Sequence, residues 1–157
     1  MIWSAAFVFA LVGATALAVA WGGPGLRRTG FAMLANWLAC MVTVAVSGSL
    51  TPWALFLLFD AATALAVVRH PSSRPQAIIG AVYCFQMAFH VAFALVGNGL
   101  AATMYIDLLA LGGWLQIGTL LGGAIYGGGR KLWADPRFRG RLRNPDSAHR
   151  RGMGAPR

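Results

Sequence analysis

The chain has 157 residues, 58% of them hydrophobic and 11% charged, with a formal net charge of +9. A soluble domain is about 45–50% apolar and about 25% charged, so this chain cannot cover a globular surface with polar groups and a soluble fold is close to excluded. Its hydrophobicity excludes disorder before the last segment, and two cysteines exclude a disulfide scaffold, which leaves an integral membrane protein.

A bilayer core about 30 Å thick takes about 20 apolar helical residues per crossing. Five stretches qualify: residues 2–21, 31–48, 52–68, 76–97 and 100–127. The strands of a β-barrel would alternate over about ten residues. These runs are longer and continuous, so they are predicted helices.

The first stretch is uncharged and carries Ala6, Ala10, Ala14 and Ala18 at every fourth position. Ala18-Val19-Ala20 has the pattern of a signal-peptidase site. No Lys or Arg precedes the apolar run, and cleavage would leave the following arginines outside. The first stretch therefore reads as a retained anchor. Gly22-Gly23-Pro24-Gly25 interrupts the helix. The second stretch places Asn36, Cys40, Thr43 and Ser47 on one face. Thr51 is a candidate N-cap for the third stretch, with Pro52 at its first position. The segment 47–52 is read as a hairpin turn, with a re-entrant loop as the alternative. The third stretch contains Asp60. Pro71 and Pro75 bracket the next turn. The fourth stretch places Tyr83, Gln86 and His90 on one face by their i, i+3, i+7 spacing. Gly97-Asn98-Gly99 separates it from the fifth, where Thr103, Asp107, Trp114 and Gly118 share a face. Gly118 with Gly122, and Gly123 with Gly127, form two pairs of small residues that let helices approach closely. Gly127-Gly128-Gly129 is expected to end the fifth helix. The chain thus divides into two domains: a bundle over residues 1–129 and a basic, Pro-containing tail over 130–157 that is expected to be disordered.

With five crossings, all 13 Lys and Arg fall on one side. By the positive-inside rule that side is cytoplasmic, with the N-terminus out and the C-terminus in. Arg130, Lys131, Arg137, Arg139, Arg141 and Arg143 are expected to rest on anionic lipid headgroups. The charge on the cytoplasmic side is +11, thirteen basic residues less Asp135 and Asp146, and the other two acids lie inside the membrane.

Those two, Asp60 and Asp107, are the most informative residues. A mid-membrane Asp costs about 2.5–3.5 kcal/mol on insertion scales, and such residues usually face protein or water and pair. His90 lies eight residues before Asn98 and Asp107 nine after it, while Asp60 lies nine after Thr51. All three are therefore expected at one depth and able to meet. One reading makes them hydrogen-bonding glue; the other makes them a proton or cation relay, with Tyr83 and Gln86 alongside. Gln116 is half a turn from Asp107 on a straight helix, so it faces another partner unless Gly112-Gly113 bends the span.

No spacing suits a metal site, a haem or another cofactor, and no catalytic arrangement is evident, so an enzyme is not expected. Cys40 and Cys84 fall toward opposite faces and are not expected to pair. Another membrane protein or a second copy is the expected partner; nucleic acid is not.

Asp60-Ala61-Ala62, the Tyr83/Gln86/His90 spacing and Gly113-Trp114-Leu115-Gln116 resemble a group of small multi-span proteins encoded by bacteriophages and prophages, over residues 31–127. The resemblance implies a bacterial cytoplasmic membrane and a phage setting, with no activity to carry over. The leading expectation is a non-enzymatic membrane protein acting through helix association. A proton or cation pathway through Asp60, His90 and Asp107 is the first alternative and a holin-like permeabiliser the second.

Overall fold

The structure is a computed structural model that describes residues 5–48, 52–69, 73–96 and 99–134. Among these residues it is all-α, as expected. Five helices run in chain order: α1 (Ala5–Ala20), α2 (Pro24–Ser47), α3 (Trp53–Val68), α4 (Arg74–Val96) and α5 (Gly99–Ala134).

Local chemistry sets the helix ends. Gly23 is extended, and Pro24 takes the first position of α2, where its missing N–H would have no intrahelical partner. α2 therefore starts at Pro24 rather than near residue 31, and Arg27 and Arg28 lie in its first turns instead of a loop. Its other end is Gly48, whose φ of 64° closes the helix through an N–H donated to the Val44 carbonyl. At the start of α3, the Pro52 carbonyl accepts from the N–H groups of Leu55 and Phe56.

The expected stop at Gly127-Gly128-Gly129 does not occur, because α5 continues to Ala134. Trp21 lies against this glycine run: a Cβ on Gly128 would come 3.1 Å from its ring. Burial against a neighbour outweighs the weak helix propensity of glycine. Residues 130–134 thus belong to the helix; the rest of the expected basic tail lies outside the described residues.

The helices close into a ring. α1 packs on α2, α2 on α3, α3 on α4 and α4 on α5, and α5 returns to pack on α1. Successive neighbours are antiparallel. Asp60 faces His90 across α3 and α4, where Gly80 lies against Val68; Gln86 faces Gln116 across α4 and α5. The closing pair is parallel, since Phe7 meets Gly113 and Trp21 meets Gly128. Among the described residues every Lys and Arg therefore lies at one end: Arg27 and Arg28, Arg69, Arg74, and Arg130 with Lys131.

The exterior is apolar where that of a water-soluble bundle would be polar, and several polar side chains are buried within an apolar core. Leu95 is 81% exposed, while His90, five residues earlier on the same helix, is fully buried. Gln76 and Thr29 are also fully buried, and Phe9 and Val46 stand out from the surface. α2, α4 and the Ala102–Lys131 part of α5 are long and apolar enough to cross a membrane; α1 and α3, at 16 residues each, are apolar but shorter, about 24 Å long.

Helix approach is set at a few small residues. A Cβ on Gly30 would lie 3.1 Å from the Thr15 methyl where α1 crosses α2, and one on Gly123 would lie 2.9 Å from Pro75 of α4. Gly127 is close to the Trp21 carbonyl, so the Gly123/Gly127 pair does pack. Gly118 and Gly122 do not, since nothing lies within 4 Å of a Cβ at either. Ala14 and Ala18 are buried, Ala10 is half-buried and Ala6 is exposed, so only the later part of the alanine stripe is a packing face.

Candidate functional site

The interior holds a polar cluster to which four helices contribute. α3 supplies Asp60, buried halfway along the helix. α4 supplies His90, whose Nε2 lies 3.0 Å from Asp60 Oδ2. α2 supplies Asn36, whose Nδ2 donates to Asp60 Oδ1 at 2.9 Å and, at 3.5 Å, to the hydroxyl of Tyr83. α5 supplies Tyr105, whose hydroxyl lies 2.6 Å from His90 Nδ1. Both ring nitrogens of His90 are thus engaged, and both carboxylate oxygens of Asp60 have a partner.

Aromatic rings enclose this chain. Phe56 lies tilted against the His90 ring, with centroids 6.2 Å apart, and Phe93 stacks on Tyr105 at 4.3 Å. A buried polar contact is favourable when its geometry is good and hydrogen bonds satisfy the remaining polar atoms, and here both His90 nitrogens and both Asp60 oxygens have partners.

A second layer joins α4 to α5. Gln116 Nε2 donates to Gln86 Oε1 at 2.8 Å, and Gln86 Nε2 donates to the Leu109 carbonyl at 3.3 Å. Gly112 makes room for it, since a Cβ there would lie 2.9 Å from Gln86 Nε2. A third contact lies toward the basic end, where Gln76 Nε2 donates to Thr29 Oγ1 at 3.1 Å and Thr29 donates to the Gly25 carbonyl.

Between the first two layers is a cavity of about 60 Å³, walled by Asn36, Asp60, His90, Gln86 and Gln116 on its polar side and by Phe7, Leu11 and Ile117 on its apolar side. A cavity needs only about 10–15 Å³ of such space to hold one water. Two buried polar atoms in its wall residues, Asn36 Oδ1 and Trp37 Nε1, have no hydrogen-bond partner among the described residues. An unpartnered acceptor and an unpartnered donor on residues lining this half-open space are groups of the kind that ordered water satisfies.

Most of the sequence-predicted residues meet here. Asp60, His90, Tyr83 and Gln86 are all in or beside the cluster. Asp107 is not: it is exposed and has no hydrogen bond among the described residues. Positions 105 and 107 are separated by about 200° around a helix, so turning Tyr105 inward turns Asp107 outward. The expected inward face of α5, with Thr103, Trp114 and Gly118, is in fact the outer one. Gln116 faces inward without any break in the helix, as the half-turn separation required.

Sequence reasoning passed over Tyr105, Gln76 and Thr29. For Tyr105 a signal existed: it precedes Gln116 by 11 residues, about 20° off the same face. Arg130 and Lys131 are exposed; Arg137, Arg139, Arg141 and Arg143 lie outside the described residues. Cys40 and Cys84 are both free. Among the described residues no group of three His, Cys, Asp or Glu is placed to hold a metal ion. Compared with family models, with curated proteins and with solved structures, the chain matches none.

Proposed function

We propose that the chain is a small, non-enzymatic protein of the bacterial cytoplasmic membrane, crossing it five times with the N-terminus out, and that Asp60, His90 and Tyr105 form a proton relay within it. The apolar exterior supports the membrane reading. Collection of the described basic residues at one end supports the orientation, with that end cytoplasmic and Arg130 and Lys131 against anionic headgroups. The phage setting rests on the sequence resemblance.

The observation that carries the site is the continuous chain from Asn36 through Asp60 and His90 to Tyr105, set beside a cavity. When His90 is neutral with its proton on Nε2, Asp60 accepts from it and the Tyr105 hydroxyl donates to Nδ1. When a further proton reaches Nδ1, His90 becomes a cation that Asp60 neutralises, and Tyr105 turns from donor to acceptor. The site can gain or lose one proton without losing a hydrogen bond. Asp60 and His90 would have no task in a holin-like permeabiliser, which makes that reading the weaker one.

Reconstituted in proteoliposomes with an internal pH dye, the chain should pass protons down an imposed gradient. Asp60→Asn and His90→Gln should each abolish the flux while the protein still floats with the vesicles. Asp107→Asn should leave it intact. Flux equal to that of protein-free vesicles would sink the relay and return the cluster to a purely structural role.

A further inference from the structure

The described residues contain two acids, Asp60 and Asp107, and the buried cluster uses one of them. Asp107 stands on the outer surface of α5, two residues from Tyr105 and so about 3 Å further along the axis. Tyr105 is level with His90 and Asp60, and Asp60 lies halfway along α3. In the five-span membrane reading, on which the inference rests, an exposed carboxylate therefore lies inside the bilayer, slightly outside the midplane, about 12 Å along α5 from Gly99. Intramembrane acids almost always face protein or water and pair.

α5 cannot turn to hide it. Its opposite face holds Tyr105, Gln116 and Leu120, all buried against the rest of the ring, and rotation would exchange one outward Asp for an outward Gln. The surface around Asp107 is suited to a close neighbour. Thr103, Leu111, Gly118 and Gly122 lie within about 60° of it around the helix. Thr103, Leu111 and Gly118 are exposed, and both glycines have open space in front of them.

Charge complementarity identifies the neighbour. A second copy placed by a two-fold axis would set Asp107 against Asp107. The chain has no Lys or Arg from residue 29 to 68 or from 75 to 129, and His90 is already bound on both nitrogens. Among the described residues, no helix of a second copy can therefore bring a free cation to that depth. We propose that the outer face of α5 is a docking surface for a membrane-spanning helix of a different protein, one that presents a Lys or Arg inside the bilayer at the depth of Asp107 and packs over Gly118 and Gly122.

The test uses the full chain, labelled with a donor dye at its N-terminus, in phosphatidylcholine vesicles. The probe is a synthetic leucine–alanine spanning helix with one central Lys and an acceptor dye; its control has Leu in that place. The long side chain of a central Lys can extend to the depth of Asp107 in either orientation of the probe. The Lys helix should associate at least about tenfold more tightly than the Leu helix, the scale set by the cost of an unpaired intramembrane charge. Asp107→Asn should remove the preference and Asp107→Glu should keep it. Gly118→Leu with Gly122→Leu should weaken both probes. Equal association of the two probes, or a preference that survives Asp107→Asn, overturns the proposal. So does energy transfer between two labelled copies that is lost in the double-leucine variant, which would assign the face to self-association. Flotation of the chain with the vesicles reports the membrane reading separately.

Discussion

The hydroxyl of Tyr105 lies 2.6 Å from Nδ1 of His90, in the place that sequence spacing assigns to Asp107. The imidazole is therefore flanked by one carboxylate and one phenol instead of two carboxylates. Among the described residues, that arrangement sets one buried acid beside one buried imidazole and leaves the second acid on the outer surface.

The Asp60–His90 contact should be measurable as a coupling. In reversible unfolding from mixed micelles, the cycle of Asp60→Asn, His90→Gln and the double variant should give an interaction of about 1–2 kcal/mol, the upper range for hydrogen bonds within membranes. Additive single effects would show that the pair contributes no interaction of its own.

Asp107 should behave in the opposite way. Asp107→Leu should improve insertion of the α5 segment by about 2.5–3.5 kcal/mol in a translocon assay, with no loss of stability in the folded bundle. A fall in the unfolding midpoint comparable to that of Asp60→Asn would show that Asp107 has an internal partner after all.

The amide pair tests whether the second layer is a matched unit. Gln86→Leu alone strands the Gln116 amide, and Gln116→Leu removes the donor that Gln86 Oε1 accepts from. Each single change should cost about 1–3 kcal/mol, and replacing both should cost less than the two single costs summed, because no buried polar group is then left without its partner. The readout is again the unfolding midpoint.

The glycines should separate by position rather than by spacing. Gly123→Leu forces a side chain into Pro75 and Leu26 and should destabilise by about 1–3 kcal/mol, as overpacking does. Gly118→Leu meets nothing within 4 Å and should stay within about 0.5 kcal/mol in the isolated protein. Equal effects would contradict the packing of α5 on α4.

Orientation is checked by labelling intact cells. In a background with Cys40→Ser and Cys84→Ser, Ser47→Cys at the end of α2 should react with an impermeant maleimide from outside. Gly23→Cys, at the basic end, should react only after permeabilisation. The reverse pattern would invert the proposed topology.

Much of the fold was legible in the residues. The run of apolar stretches between glycine and proline breaks marked five helices, because interruption by Gly22-Gly23-Pro24 or Ser47-Gly48 is a local property of the backbone. The Tyr83/Gln86/His90 face was legible because i, i+3, i+7 spacing holds on any helix. Helix lengths were less so. The start of α2 at Pro24 and the passage of α5 through Gly127–Gly129 depend on neighbours, and propensity gives way to packing there.

The sequence by itself determined the helical class, the number of helices and the identity of the few polar residues that an apolar chain must hide. It also placed the basic residues where alternating helices collect them at one end. Those follow from composition and from periodicities internal to each segment. Only the tertiary structure decided which face of α5 turns inward, and with it that Tyr105 completes the cluster while Asp107 is left outside. Thr103/Asp107 and Tyr105/Gln116 define nearly opposite stripes of one helix, each with polar and small residues, so neither is preferred by the segment alone. Closing the ring chose between them: packing Gly113 on Phe7, Gly112 on Gln86 and Gly123 on Pro75 fixes the rotation of α5, and the polar residues follow the glycines.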